Sequence, residues 1–267
     1  MKIAVSGKGG VGKTSLTAWM GDYLTRQGRE VWLVDADTAL SLGAALGLSP
    51  DTIPTALCQE HELITQRTGG GGVIDLNPQV NDLPQRLALS VQGMRLMVMG
   101  TVAGAGGGCA CAANSLLKAL LAHLFLENSQ WVLVDLEAGV EHLGRGTVAS
   151  ADALVVVSDP SLRGLQAAAR IGLMARDLGL TRQVLVLNRN EGLVGGLAGD
   201  WTQGWPDLPD LQGLPPLAAV LPALPSLRER QLTVSSVLGL PERPDIDLAC
   251  GRILERLNGS GTTSRMP

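Results

Sequence analysis

Residues able to do chemistry crowd the first forty positions. Gly7-Lys8-Gly9-Gly10-Val11-Gly12-Lys13-Thr14 fits the spacing G-x-x-x-x-G-K-[ST]. Glycine at these places lets the backbone curl, so that the N–H groups from Gly9 to Ser15 (Gly9, Gly10, Val11, Gly12, Lys13, Thr14, Ser15) point inward at a polyphosphate. Lys13 is expected to bridge the terminal phosphates and the Thr14 hydroxyl to sit on Mg²⁺. The apolar run Ile3–Val5 before the loop suits a buried strand, and Ser15–Arg26 after it reads as a helix whose dipole favours an anion. ATP or ADP with Mg²⁺ is the expected ligand.

Carboxylates follow at strand ends. Val31–Val34 is apolar and ends in Asp35-Ala36-Asp37; Trp131–Val134 ends in Asp135. Acidic residues at the carboxyl ends of parallel strands lie on the ligand side of a sheet. Asp35 is placed near the metal's water shell, Asp37 near the attacking water and Asp135 in a Walker B position; either of the first two is also suited to capping a helix over Thr38–Leu46. Asn188, ending Gln183–Leu187, is placed to read an adenine edge, and the loop Pro222–Leu227 to wrap the base.

Cys109-Ala110-Cys111 follows three glycines, and a helix is expected from about Asn114 to Leu126. Two thiols hold a soft divalent ion incompletely, because such ions prefer four ligands. A twofold dimer supplies four, for Ni²⁺ in a square plane or Zn²⁺ in a tetrahedron; the alternative is a pair of unligated cysteines in a turn. Cys58 and His61, three apart, read as a partly buried thiol beside a solvated imidazole, and His142 as a structural hydrogen-bonder.

These groups need a scaffold. Strands at Arg95–Met99, Ala153–Val157 and Leu217–Leu221 alternate with helical stretches at Leu162–Leu178 and Pro244–Leu257. The fold class is therefore α/β, a single P-loop domain over residues 1–258 with a mostly parallel sheet covered by helices on both faces, followed by a polar tail at 259–267. Ser49–Gln92, with its Gly69–Gly72 run, and Asn190–Pro216 carry no clear pattern. A net charge of −4 and 3% aromatic residues argue against a nucleic-acid footprint. No leader and no apolar stretch long enough for a bilayer are seen, so a cytoplasmic location without membrane binding is expected.

Lys8 makes the loop Lys-Gly-Gly-x-Gly-Lys-Thr, which resembles the deviant Walker A motif of the MinD/ParA/nitrogenase-iron-protein class. Four blocks together resemble the CooC-type nickel-insertion ATPases that mature carbon monoxide dehydrogenase and acetyl-CoA synthase: GKGGVGKT from Gly7, VDADTALSLGAALGL from Val34, CACAANS from Cys109 and VLVDLEAGVEHLGRGT from Val132. The resemblance implies an ATP-driven homodimer holding Ni²⁺ through Cys109 and Cys111 of both subunits, with an apo nickel enzyme as partner. It also implies Lys8 acting in trans, Lys13 and Thr14 on phosphate and Mg²⁺, and Asp37 on water. Thr38, Glu137 and Arg189 depart from the residues common in that family. Two further classes share the loop: positioning ATPases that bind membrane or DNA, and iron–sulfur reductases, whose cysteines are well separated.

Overall fold

The computed structural model describes residues 1–69, 74–100, 107–126, 130–137, 151–191 and 211–259, with the backbone alone at 107–110 and 125–126. The strands are β1 (Lys2–Gly7), β2 (Val31–Ala36), β3 (Leu89–Val91), β4 (Met94–Val98), β5 (Trp131–Leu136), β6 (Ala153–Ser158), β7 (Gln183–Asn190) and β8 (Leu217–Pro222). They form one sheet in the order β3-β4-β2-β5-β1-β6-β7-β8. All neighbours run parallel except β3 against β4. That antiparallel hairpin was not foreseen. Its two-residue loop has Gln92 at φ 49° and Gly93 at φ 81°, the paired positive values that a type I′ turn demands and that match strand twist.

The helices are α1 (Lys13–Arg26), α2 (Leu42–Ala45), α3 (His61–Thr68), α4 (Leu83–Leu87), α5 (Gly107–Leu126), α6 (Leu162–Asp177), α7 (Pro225–Arg230) and α8 (Arg243–Gly259). β1, β2 and β6 are buried along their whole length, as strands covered on both faces must be. Ile3, Val5 and Leu33 pack with Leu16 and Met20 of α1 and with Ile253 and Leu257 of α8. The alternate residues Ala4, Trp32 and Val34 pack with Leu116 and Leu120 of α5 and Leu165 of α6. Cys250 is fully buried among the first group, and burial pushes its thiol far above the ordinary range; it is an inert apolar filler.

Several boundaries differ from expectation. α5 starts at Gly107 rather than Asn114, so Cys109 and Cys111 lie within the helix instead of before it. The cause is the apolar stripe: Ala112, Ala113, Leu116, Leu117 and Leu120 are all buried, and burying the two alanines carries helical backbone back through the cysteines. The helix expected over Thr38–Leu46 is a single turn, α2, because Leu40 turns left-handed at φ 47°. α8 runs on to Gly259; residues 260–267 lie outside the described set. Residues 70–73, 101–106, 138–150 and 192–210 do as well, and with them most of the four-glycine run, His142 and most of the Asn190–Pro216 connection.

Candidate active site

The loop between β1 and α1 lies at the carboxyl end of the sheet's centre. A Cβ at Gly7 would collide with the Val157 carbonyl oxygen of β6. Gly10 and Gly12 take φ of 77° and 99°, left-handed values that side chains resist. No described residue lies within 4 Å of where a Cβ would stand on Gly9 or Gly10, so the tip of the loop is uncrowded. Lys13 is 6% exposed, and its ammonium reaches the Lys8 carbonyl at 3.4 Å. That is the long end of hydrogen-bond range, a weak hold on a buried cation and a strong bias toward a phosphate.

Strand register builds the rest. β2 and β5 pair with Asp35 opposite Asp135, and both are fully buried. Thr14 Oγ1 donates to Asp135 Oδ2 at 2.5 Å and lies 3.3 Å from Ser41 Oγ. Asp35 accepts from the Leu42 amide through Oδ2 at 2.9 Å and from the Asp37 amide through Oδ1 at 3.3 Å. Asp135 Oδ1 is buried without any hydrogen-bond partner among the described residues. An orphaned carboxylate oxygen beside a threonine hydroxyl is a hard oxygen set suited to Mg²⁺. The donors present therefore fit the ion that the loop motif implies.

Burial holds the Asp35 carboxyl up at about 6, and burial together with the Asp35 charge holds Asp135 up at about 7. The ordinary value is 3.8, so between about pH 4 and pH 7 the folded chain keeps protons that the unfolded chain has released. The stability these groups contribute is complete below the unfolded value and is lost as pH rises through 6 and then 7. Nucleotide-free, metal-free protein should lose thermal stability between about pH 4 and pH 7, and Asp135→Asn should flatten that slope. Thermal melts of the two proteins across that range check it; parallel slopes would show that Asp135 is ionised throughout.

Asp37 is half-buried, and its Oδ1 accepts the Ala39 amide at 2.9 Å. It closes a local turn rather than capping a helix. Lys8 is exposed at the loop tip. Asn188, 6% exposed, donates through Nδ2 to the Val11 carbonyl at 2.8 Å and accepts the Arg189 amide at 2.9 Å. It clamps the P-loop, and each amide atom keeps one further bonding capacity for a base. A cleft of about 610 Å³ opens beside it, lined among others by Gly12, Trp19, Arg189, Leu224 and Leu227. The expected wrapping loop Pro222–Leu227 does border it. Trp19 and Ser41 were not foreseen. Trp19 Nε1 donates to the Val237 carbonyl at 2.8 Å, 218 residues away, and no local pattern announces such a pairing.

Among the thiols, Cys111 is exposed on α5 and Cys58 is half-buried, its amide bonded to the Met99 carbonyl at 3.1 Å. No group of three or more His, Cys, Asp or Glu side chains gathers as a metal site among the described residues. None of the described helices is long and apolar enough to cross a membrane.

A glycine loop cradled by β6, a buried lysine, and a threonine in the first turn of α1 bonded to an aspartate near the end of β5 define a P-loop nucleotide-binding domain. Residues 2–200 match the CobQ/CobB/MinD/ParA nucleotide binding domain. The carbon monoxide dehydrogenase accessory protein CooC of Rhodospirillum rubrum is 40% identical over 197 residues, 71% of this chain and 74% of that one. An uncharacterised ATP-binding protein of Methanocaldococcus jannaschii is 37% identical over 198 residues, 72% and 76% of the two chains. The MinD cell division protein of Aquifex aeolicus superposes with a TM-score of 0.67 at 20% identity, covering 100% of this chain and 98% of that one, a likeness of fold. The chain belongs to the CobQ/CobB/MinD/ParA nucleotide-binding family, and within it to the CooC-type ATPases. It is an ATPase.

Proposed function

We propose that this ATPase is a metallochaperone that carries Ni²⁺ to an apo nickel enzyme of the carbon monoxide dehydrogenase or acetyl-CoA synthase kind. It works as a homodimer whose metal is held by Cys109 and Cys111 of both subunits, with Zn²⁺ as a competitor. One structural observation supports coupling between nucleotide and cargo. The chain leaving β4 toward α5 hangs from β2 by two hydrogen bonds, from the Met99 and Gly100 amides to the Asp35 carbonyl at 2.9 and 3.0 Å. Movement of the Asp35–Asp37 segment on hydrolysis therefore pulls on the strand exit that leads to the cysteines.

In this reading Lys13 and the loop amides hold the phosphates, and Lys8 of each subunit reaches the other's nucleotide, adding positive charge where the transition state gathers negative charge. Thr14 and Asp135 would hold Mg²⁺, which would supply charge neutralisation for the phosphate oxygens. Asp37 orients the attacking water, and Asn188 meets the base.

The helical placement of the cysteines adds a condition. Positions two apart on an α-helix lie on different faces, so chelation by both residues of one subunit requires the first turn of α5 to open. Glycines at 106–108 make that opening inexpensive. Anaerobic Ni²⁺ titration of the reduced protein should give one ion per dimer with thiolate-to-metal charge-transfer bands, and the double substitution Cys109→Ala/Cys111→Ala should abolish both. Equal affinity in the double variant would dismiss this metal site. The positioning-ATPase reading needs a basic amphipathic terminal helix for membrane or a basic patch for DNA. α8 instead spends Ile246, Ala249, Ile253, Leu254 and Leu257 on the core, leaving Arg252, Glu255 and Arg256 as a mixed outer set.

A further inference from the structure

The strands that carry the active-site carboxylates end together, and a second pair of acids meets just beyond them. Register places Asp35 opposite Asp135 and Ala36 opposite Leu136, so the next residues, Asp37 and Glu137, leave the sheet side by side. Between them stands Thr38, whose Oγ1 lies 3.1 Å from Glu137 Oε1 and 3.4 Å from Asp37 Oδ1. A hydroxyl has one proton to donate. The nearer oxygen, on Glu137, takes it.

Asp37 is thereby left with the Ala39 amide on Oδ1. The segment it starts is tightly determined. Its first amide is bonded to Asp35 Oδ1 at 3.3 Å, the Leu40 amide to the Asp37 carbonyl at 3.4 Å, and Leu40 is held in the left-handed region at φ 47°. A branched side chain there is strained, and it persists only where the surroundings fix it. The Thr38–Glu137 bond is a side-chain tether that joins this turn to the end of β5.

We propose that Glu137 is a positioning residue for hydrolysis: by drawing the Thr38 hydroxyl away from Asp37, it fixes the turn and keeps the Asp37 carboxylate open to the attacking water. Glu137 acts through Thr38 and touches no reacting atom. The inference rests on the reading of Asp37 as the water-orienting group.

Steady-state ATP turnover by the full-length protein, with Mg²⁺ and nucleotide affinity measured alongside, tests it. Glu137→Ala returns the Thr38 proton to Asp37, and Thr38→Val removes the tether. Each should lower kcat about five- to tenfold with KM for ATP within about twofold, as one hydrogen bond in the transition state would. Glu137→Gln keeps an acceptor oxygen and Thr38→Ser keeps the donor, so each should restore most of the lost kcat. Combining Thr38→Val with Glu137→Ala should be no worse than Thr38→Val alone, because the two act through one contact. Unchanged kcat in Glu137→Ala, a loss in Glu137→Gln as large as in Glu137→Ala, or additive losses in the double variant would each overturn the proposal. Asp37→Asn separates the two readings. If it still turns over ATP, the water-orienting role of Asp37 is wrong; if it is inactive while Glu137→Ala is normal, only the positioning role falls.

Discussion

Lys13→Gln should remove ATP hydrolysis almost completely, a loss of about a thousandfold in kcat, while leaving the protein folded. The size of the effect follows from where the ammonium sits. Lys13 opens α1 with 6% of its surface exposed, and its hydrogen bond to the Lys8 carbonyl is a long 3.4 Å. A buried cation held this loosely interacts strongly with any phosphate that enters, since little water remains to screen it. Glutamine preserves length and a donor but not charge, so binding geometry survives better than transition-state stabilisation. Colorimetric phosphate release, with nucleotide binding followed by fluorescence, checks the result. Turnover within about tenfold of the parent protein would mean that another cation carries the charge.

Gly7→Ala should act on the fold instead, lowering the free energy of unfolding by at least about 3 kcal/mol. The new Cβ would run into the Val157 carbonyl oxygen and press on its carbon at 3.1 Å. Both atoms belong to the backbone of β6, which pairs with β1 through Gly7 and Val157 themselves. A flexible side chain could swing aside; a ladder in the middle of the sheet has nowhere to go. Denaturant unfolding followed by circular dichroism measures the loss. A change below about 1 kcal/mol would show that the loop shifts as a unit without cost. The contrast with Lys13 is instructive, because one end of the loop is constrained by the sheet and the other by its ligand.

The P-loop, the strands around it and the terminal helix were legible because each is a local pattern. An apolar run that ends in a glycine loop needs no partner to be recognised, and neither does the i, i+3, i+4 stripe of Ile246, Ala249, Cys250, Ile253 and Leu257. The acids Asp35, Asp37 and Asp135 were legible as strand-end residues, and the sheet does bring Asp35 and Asp135 to one height. Less was readable where packing competes with propensity. The glycines before Cys109 suggested a loop ahead of a helix at Asn114, but burial of Ala112 and Ala113 carries α5 back to Gly107. The stretch between Ser49 and Gln92 hid α3, α4 and β3, all too short to show a period.

By itself, the amino-acid sequence determined the class of this protein and which segments are strands and helices around the loop; it also marked the loop residues and the thiol pair on which the proposed function rests. Only the tertiary structure decided which of these groups meet. Strand order sets β5 between β1 and β2, so Thr14 bonds Asp135 across 121 residues. The same order lets Asn188 clamp Val11 across 177 residues and brings Glu137 to Thr38 across 99. The physical reason is that side-chain type and periodicity are properties of neighbours along the chain, whereas register and strand order come from burying both faces of the whole sheet at once.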